Sequence, residues 1–311
     1  MTHENKITII LAIALICVST ASIFARWLDS VPAVTIAAWR MVLGSVFLWM
    51  ISIVHPQPKL DRKHRLLTAV SGIFLGLHFL FFFTALKLTS IANATFLATL
   101  APLFTILIEK IVFKKKLIPG LLPGLGFAFL GMFVILGGKL EFEPGQVKGN
   151  LLAVISSFWI SITYLLTENI RRSTGTLTYS RSLYFWAAVL LFLVGIIFRI
   201  PVFSVSGHDF TGLVLIGLVP TVFGHSLLYF ALRFVPPGIV ASVPLGEPVI
   251  ASVLAIIIFN EFPDIMVCAG GAFVLGGLYK VVRCKSNIIN PGNVIKGEEA
   301  PGEGLLYEED N

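Results

Sequence analysis

The sequence predicts an all-α integral membrane protein of ten transmembrane helices, arranged as two inverted five-helix repeats. Three observations predict it: long apolar runs at near-regular spacing, cations gathered on one side of those runs, and a second half that echoes the first. Of 311 residues 56% are apolar and 13% charged, well under the ~25% charged residues of a soluble domain. The mean hydropathy of +0.90 agrees. A pI near 9.3 raises nucleic acid as a partner. The cations lie in short clusters between apolar runs, with no basic face interleaved with aromatics, and that disfavours nucleic-acid binding.

A helix needs roughly 20 apolar residues to cross a ~30 Å hydrocarbon core. Such runs cover 7–27, 33–54, 66–87, 90–113, 118–138, 149–169, 177–198, 211–233, 238–260 and 263–283. Breakers and charges separate them, among them Pro56-Gln57-Pro58, Lys114-Lys115-Lys116 and Pro236-Pro237-Gly238. The first run lacks a small-x-small cleavage site and has a counterpart later in the chain, so it reads as a helix and not as a signal peptide.

With residues 1–6 placed in the cytoplasm, 16 of the 23 Lys and Arg fall on the inner side, including Arg171 and Arg172. Arg26, Lys87, Lys139, Lys148 and Arg199 fall outside. The positive-inside rule then predicts N-in, C-in, which ten spans also require. Residues 284–311 turn acidic and Pro/Gly-containing, and are expected to form a disordered cytoplasmic tail. Cys17, Cys268 and Cys284 have no metal-ligand spacing and make no disulfide framework, so neither a metal nor a cofactor is expected.

The repeat emerges at two offsets. An offset of 146 sets Ala85-Leu86-Lys87 on Ala231-Leu232-Arg233, Pro102 on Pro248 and Gly131 on Gly277; an offset of 141 sets Leu11-Ala12 on Leu152-Ala153 and Arg40 on Arg181. The repeats are thus 7–138 and 149–283. Five spans is an odd number, so the second copy starts on the opposite side of the membrane, as in several secondary-transporter folds.

The chain resembles the EamA branch of the drug/metabolite transporter superfamily. Arg40 and its echo Arg181, the run from Ala94 to Leu103, Leu245-Gly246-Glu247-Pro248-Val249, and Asn260-Glu261 closing the ninth span carry the resemblance. It covers about 7–283. One departure is that Lys115 stands where the first half would match Glu261. The resemblance implies spans one to four and six to nine around a central cavity, with five and ten at the periphery. Those two spans carry Gly120, Gly124, Gly126, Gly131, Gly270, Gly271, Gly276 and Gly277, which suit either close packing within one chain or a homodimer.

Ionisable groups inside a bilayer cost several kcal/mol unless paired or hydrated, so they mark candidate sites. Glu247 lies deep in the ninth span between Pro244 and Pro248. Those prolines, like Pro102 in the fourth span, are expected to break their helices and free backbone carbonyls. Glu247 is then either a contact for a cation, ammonium or proton, or an acid that stabilises the kink. Arg40 suits a substrate carboxylate or a neighbouring helix's carbonyls; Arg181 is near enough to a face to snorkel. His78 and His225 are mid-span and suit substrate binding, proton relay or structural hydrogen bonding. Asn93, Thr95 and Thr99 on the fourth span, and Ser157, Ser161, Tyr164 and Glu168 on the sixth, form polar stripes for a cavity or for helix contacts. Trp159 and Tyr229 are candidates for stacking on a planar or cationic substrate.

The expected function is a secondary carrier or facilitator in a bacterial inner membrane. It would export a small organic metabolite by alternating access, with the lipid bilayer and that substrate as partners. One carboxylate and one arginine suit an amino acid or derivative; S-adenosylmethionine and nucleotide-like compounds are the alternative. An intramembrane enzyme is the other class, yet no G-x-S-x-G, H-E-x-x-H or P-loop pattern occurs.

Overall fold

A computed structural model describes residues 3–137, 145–260 and 262–284; Glu261 and nearly all of the expected tail lie outside the described residues. Among the described residues every regular element is a helix. The first half comprises α1 (His3–Trp27), α2 (Ala33–Val54), α3 (Arg62–Leu88), α4 (Ile91–Ala98), α5 (Ala101–Ile111) and α6 (Leu121–Ile135). The second comprises α7 (Val147–Arg171), α8 (Thr176–Ile197), α9 (Gly207–Ile216), a π-helical segment (Gly217–His225), α10 (Ser226–Ala231), α11 (Pro237–Ser242), a 3-10 turn (Val243–Gly246), α12 (Glu247–Phe259) and α13 (Ile265–Arg283). α9, the π segment and α10 run on as one span, α4 and α5 as another, and α11 through α12 as a third.

Local chemistry sets the helix ends. The Asp61 carboxylate accepts from the backbone N–H of His64, and the Ser90 hydroxyl from that of Asn93, capping α3 and α4. The His64 hydrogen bonds hold the Asp61 carboxyl below the usual carboxylate range. Among the described residues, nine helical stretches are long and apolar enough to cross a membrane. The fifth expected span, 118–138, is shorter than the sequence suggests: its helix is Leu121–Ile135, 15 residues. Pro119 and Gly120, the latter at φ 83°, hold the preceding residues out of the helix.

Packing follows a pseudo-twofold. α3 lies on α7 as the span of α9, π segment and α10 lies on α1; α5 lies on α7 as α12 lies on α1; α2 meets α8, and α6 meets α13. The backbone repeats in detail. Lys114, after α5, and Asn260, after α12, are both left-handed, at φ 53° and 56°, and stand at equivalent positions of the two copies.

Six of the eight glycines of the fifth and tenth spans fall into two sets, while Gly120 faces Cys284 and Gly271 faces Val249. Gly124, Gly131, Gly270 and Gly277 fill the α6–α13 seam within one chain, where a Cβ on any of them would approach backbone across the seam closer than 3.2 Å. A Cβ on Gly126 or Gly276 would meet nothing within 4 Å. Small residues here let backbones touch, the main source of helix association where lipid is as apolar as the side chains.

The repeat register around Arg40 needs correction. α2 and α8 both have 22 residues, but Arg40 is the eighth residue of one and Arg181 the sixth of the other. Two residues turn a side chain by about 200° around a helix, so the two arginines do not occupy equivalent sites. Arg181 lies over the exposed Trp49 ring, 4.2 Å from its centroid.

Candidate functional site

A cavity of about 90 Å3 lies at the centre of the bundle. Its wall takes residues from α1, α2, α3, the α4–α5 break, α7, the π segment and the α11–α12 break. α6 and α13 are not on it. The polar lining consists of Arg40, His78, Thr95, Thr99, Tyr164, His225 and Glu247; Phe79, Phe82, Ile160 and several small residues make up the rest.

Two broken spans build one side. Pro102, in the first turn of α5, has no N–H for the carbonyl of Ala98, and the helix interrupts at Thr99 and Leu100. Pro244 is the second residue of the 3-10 turn, and α12 restarts at Glu247 with Pro248 in its first turn. Glu247 is thus the first residue of a new helix near the middle of its 23-residue span. The N-terminal end of a helix dipole favours a carboxylate there. Ala98, Thr99, Pro244 and Glu247 all line the cavity, so both breaks open onto it.

Arg40 is buried and held from two sides. Its Nε–H donates to the Thr221 hydroxyl at 2.7 Å, and its guanidinium carbon lies 4.3 Å from the Phe79 ring centroid. Nη2 makes no hydrogen bond among the described residues. Arg40 and Glu247 face the same space and feel each other's charge, yet no ion pair within 4.0 Å joins them. The cavity therefore presents one guanidinium and one carboxyl group that make no direct contact.

The histidines sit close by. His78 Nδ1 lies 2.9 Å from the Ser156 carbonyl, an acceptor, so Nδ1 carries the proton and donates. In the neutral ring Nε2 then keeps its lone pair. Phe79 stands between the two histidines, its ring centroid 4.8 Å from His78 and 5.6 Å from His225. His225 Nδ1 has no partner among the described residues.

Other candidates lie elsewhere. Tyr229 is fully buried behind the wall, packed among Tyr164, Tyr179 and Tyr184, with ring centroids 5.9–6.3 Å away. Trp159 stacks on Phe74 at 5.4 Å and is not on the wall. Asn93 donates to Asn150 Oδ1 at 3.2 Å and ties α4 to α7. In the sixth-span stripe only Tyr164 reaches the cavity; Ser161 donates to the Ala101 carbonyl across the α5–α7 contact at 2.8 Å.

On the side from which α1 sets out, a second cavity lies below the first, and Glu168 of the stripe belongs to it. Lys115 donates to Glu109 at 3.0 Å and to Glu168 at 2.8 Å; Arg172 reaches Glu168 at 3.3 Å. These contacts pin the α5 end to the α7 end. Burial alone would lower the Lys115 ammonium, but its bonds to Glu168 and Glu109 carry it above the usual lysine range. On the opposite side the equivalent α1–α12 contact is Arg26 over the Phe259 ring at 4.6 Å.

Sequence reasoning missed Arg171, counted among the inner-side cations. It is almost fully buried, with Nε donating to the Tyr229 carbonyl at 3.2 Å and a terminal nitrogen to Thr174. It also missed Thr221. The available signal was Pro220 inside an apolar run, followed at once by a hydroxyl residue.

Comparison with known proteins gives one answer. The family described as the EamA-like transporter family matches residues 5–137 and again 147–283. A protein named "Uncharacterized transporter" in Archaeoglobus fulgidus is 26% identical over 89% of this chain and 97% of its own length. "Solute carrier family 35 member G1" of Mus musculus is 25% identical over 83% of this chain and 73% of its own. A crystal structure superposes with a TM-score of 0.77 at 21% identity, over 92% of this chain and 99% of that one, a likeness of fold.

Proposed function

The chain belongs to the EamA-like transporter family, and from that premise we propose that its central cavity carries a small zwitterion, an amino acid or close derivative, across a bacterial inner membrane. Membership already makes it a multi-helix carrier of small molecules and sets the enzyme alternative aside. The observation that supports a zwitterion is the pair Arg40 and Glu247, on one cavity and unjoined by an ion pair. Each charge costs about 2.5–3.5 kcal/mol to place mid-membrane on insertion scales. A solute with a carboxylate for Arg40 and an ammonium for Glu247 offsets both costs. At about 90 Å3 the cavity lies below the ~300–1,000 Å3 of sites for drug-sized ligands, which favours amino acids over nucleotide-like solutes.

Alternating access follows from the two symmetry-related closures. The Lys115–Glu109–Glu168 network bars the side on which the chain starts, which we assign to the cytoplasm, and the Arg26–Phe259 contact bars the other. Export requires the first to open for loading and the second for release. Glu247 exchanges its ammonium partner for a proton or a second solute on the return.

Counterflow in sealed proteoliposomes tests this reading, with labelled amino acids, S-adenosylmethionine and nucleotides as the panel. Amino acids should exchange, and Glu247→Gln, folded and inserted, should lower the rate at least tenfold. Exchange of nucleotides alone, or full activity in Glu247→Gln, would refute it.

A further inference from the structure

We propose that Thr221 is the positioning residue that aims Arg40 at the substrate carboxylate, a role that rests on the zwitterion reading above. Thr221 lies in the π-helical segment, one residue after Pro220. In a π turn the carbonyl of Ile216 takes its backbone bond from five residues on, at Thr221, and the Thr221 hydroxyl adds a second donor to the same carbonyl at 2.9 Å. A hydroxyl has one proton and two lone pairs. With its proton committed to Ile216, Thr221 Oγ1 can only accept, and it accepts from Arg40 Nε–H at 2.7 Å. The bond to Ile216 thus fixes the polarity of the whole chain, from Arg40 to Thr221 to Ile216.

The backbone under Thr221 is fixed as well. Its carbonyl accepts from the Tyr184 hydroxyl at 3.0 Å, and that hydroxyl also pairs with Ser226 at 3.0 Å. α2 approaches the π segment where both lack side chains. A Cβ on Gly44 would lie 3.0 Å from the Thr221 methyl, and one on Gly217 would lie 2.8 Å from Leu43 Cβ. Among the described π and α helices, this stretch is the sole π segment, and such segments recur at functional sites.

A guanidinium can grip a carboxylate through Nε and one terminal nitrogen, or through its two terminal nitrogens. With Nε given to Thr221 and one face against Phe79, only the end-on grip by Nη1 and Nη2 is left. Thr221 therefore selects the angle at which a carboxylate enters. It contributes nothing to a solute that lacks one.

The test reads the clamp and the transport separately. Protein labelled with 15N-arginine in lipid nanodiscs gives Nε–H resonances, and the Arg40 signal is the one that Arg40→Lys removes. Thr221→Val should shift that signal and speed its exchange with water, while Thr221→Ser restores both. In counterflow, Thr221→Val should raise KM for L-leucine roughly ten- to a hundredfold, as loss of a hydrogen bond to a charged group does. Its maximal rate should stay near that of the wild type. Thr221→Ser should rescue KM, and leucinamide should behave alike in all three proteins. If Thr221→Val fails to fold, Thr221→Ala removes the same oxygen without added bulk. An unmoved Arg40 resonance overturns the clamp whatever is transported. A moved resonance with equal losses for leucine and leucinamide overturns the positioning role. A wild type that exchanges neither compound refutes the zwitterion reading, while the resonance still decides whether Thr221 holds Arg40.

Discussion

Gly131 and Gly270 face each other so closely that a Cβ on either would lie 2.4 Å from the carbonyl oxygen of the other. Its symmetry copy, Gly124 against Gly277, closes the other end of the α6–α13 seam. Gly131→Ala or Gly270→Ala should therefore destabilise the protein by about 1–3 kcal/mol through overpacking, read as a lower Tm in detergent. Gly126→Ala and Gly276→Ala, which face open space, should leave Tm unchanged. Equal effects at all four positions would show that the seam is not where the glycines act.

The Lys115 network carries a pH signature. Its carboxylate partners raise the Lys115 pKa above the unfolded value, so the stabilisation is complete below ~10.4, the ordinary lysine pKa. It fades as pH rises through the higher folded pKa. The Tm gap between wild type and Lys115→Met should thus stay constant from about pH 6 to 9 and close only at strongly alkaline pH. A gap that collapses below about pH 9 would mean that Lys115 is not held by Glu109 and Glu168.

Lys114 holds a left-handed backbone at φ 53°, and the N–H of Lys115 donates back to the carbonyl of Glu109 at 2.9 Å. This bond reaches six residues back, one more than the six-to-one bond of a Schellman cap, and it closes the end of α5 around a left-handed position that favours glycine or asparagine. Lys114→Asn copies Asn260 at the equivalent position of the second half. It should raise stability by about 0.5–1 kcal/mol, relieving part of the left-handed penalty. Lower thermal stability in that variant would count against the cap.

Arg40 and Glu247 could be singled out from sequence because a charge inside an apolar run is costly wherever it points. The start of α3, at Arg62 and not at the expected 66, rests on a local signal that apolar runs do not carry: Asp61, like Ser90 before α4, caps backbone within three residues. The wall was not legible. Val18, Ile160 and Ala241 line the cavity, while Ile13 and Val253 face outward, and nothing in an apolar side chain announces which it will do. Arg171 misled because its position at a helix end suits an inner-face cation equally well. Only the fold brings the Tyr229 carbonyl beside it. Pairing Arg40 with Arg181 failed because two residues of slippage cost little in an apolar alignment, yet carry a side chain around the helix.

The proposed division of labour is directional, with Arg40 taking the carboxylate and Glu247 the ammonium. Equilibrium binding of three probes of one shape tests it most directly: labelled L-leucine, leucinamide and 4-methylpentanoate, on wild type, Arg40→Leu and Glu247→Gln. Wild type should bind leucine at least tenfold more tightly than either singly charged probe. Arg40→Leu should lose the distinction between leucine and leucinamide, and Glu247→Gln the distinction between leucine and 4-methylpentanoate. Equal affinity of wild type for all three probes, or the two losses exchanged between the variants, would contradict the account.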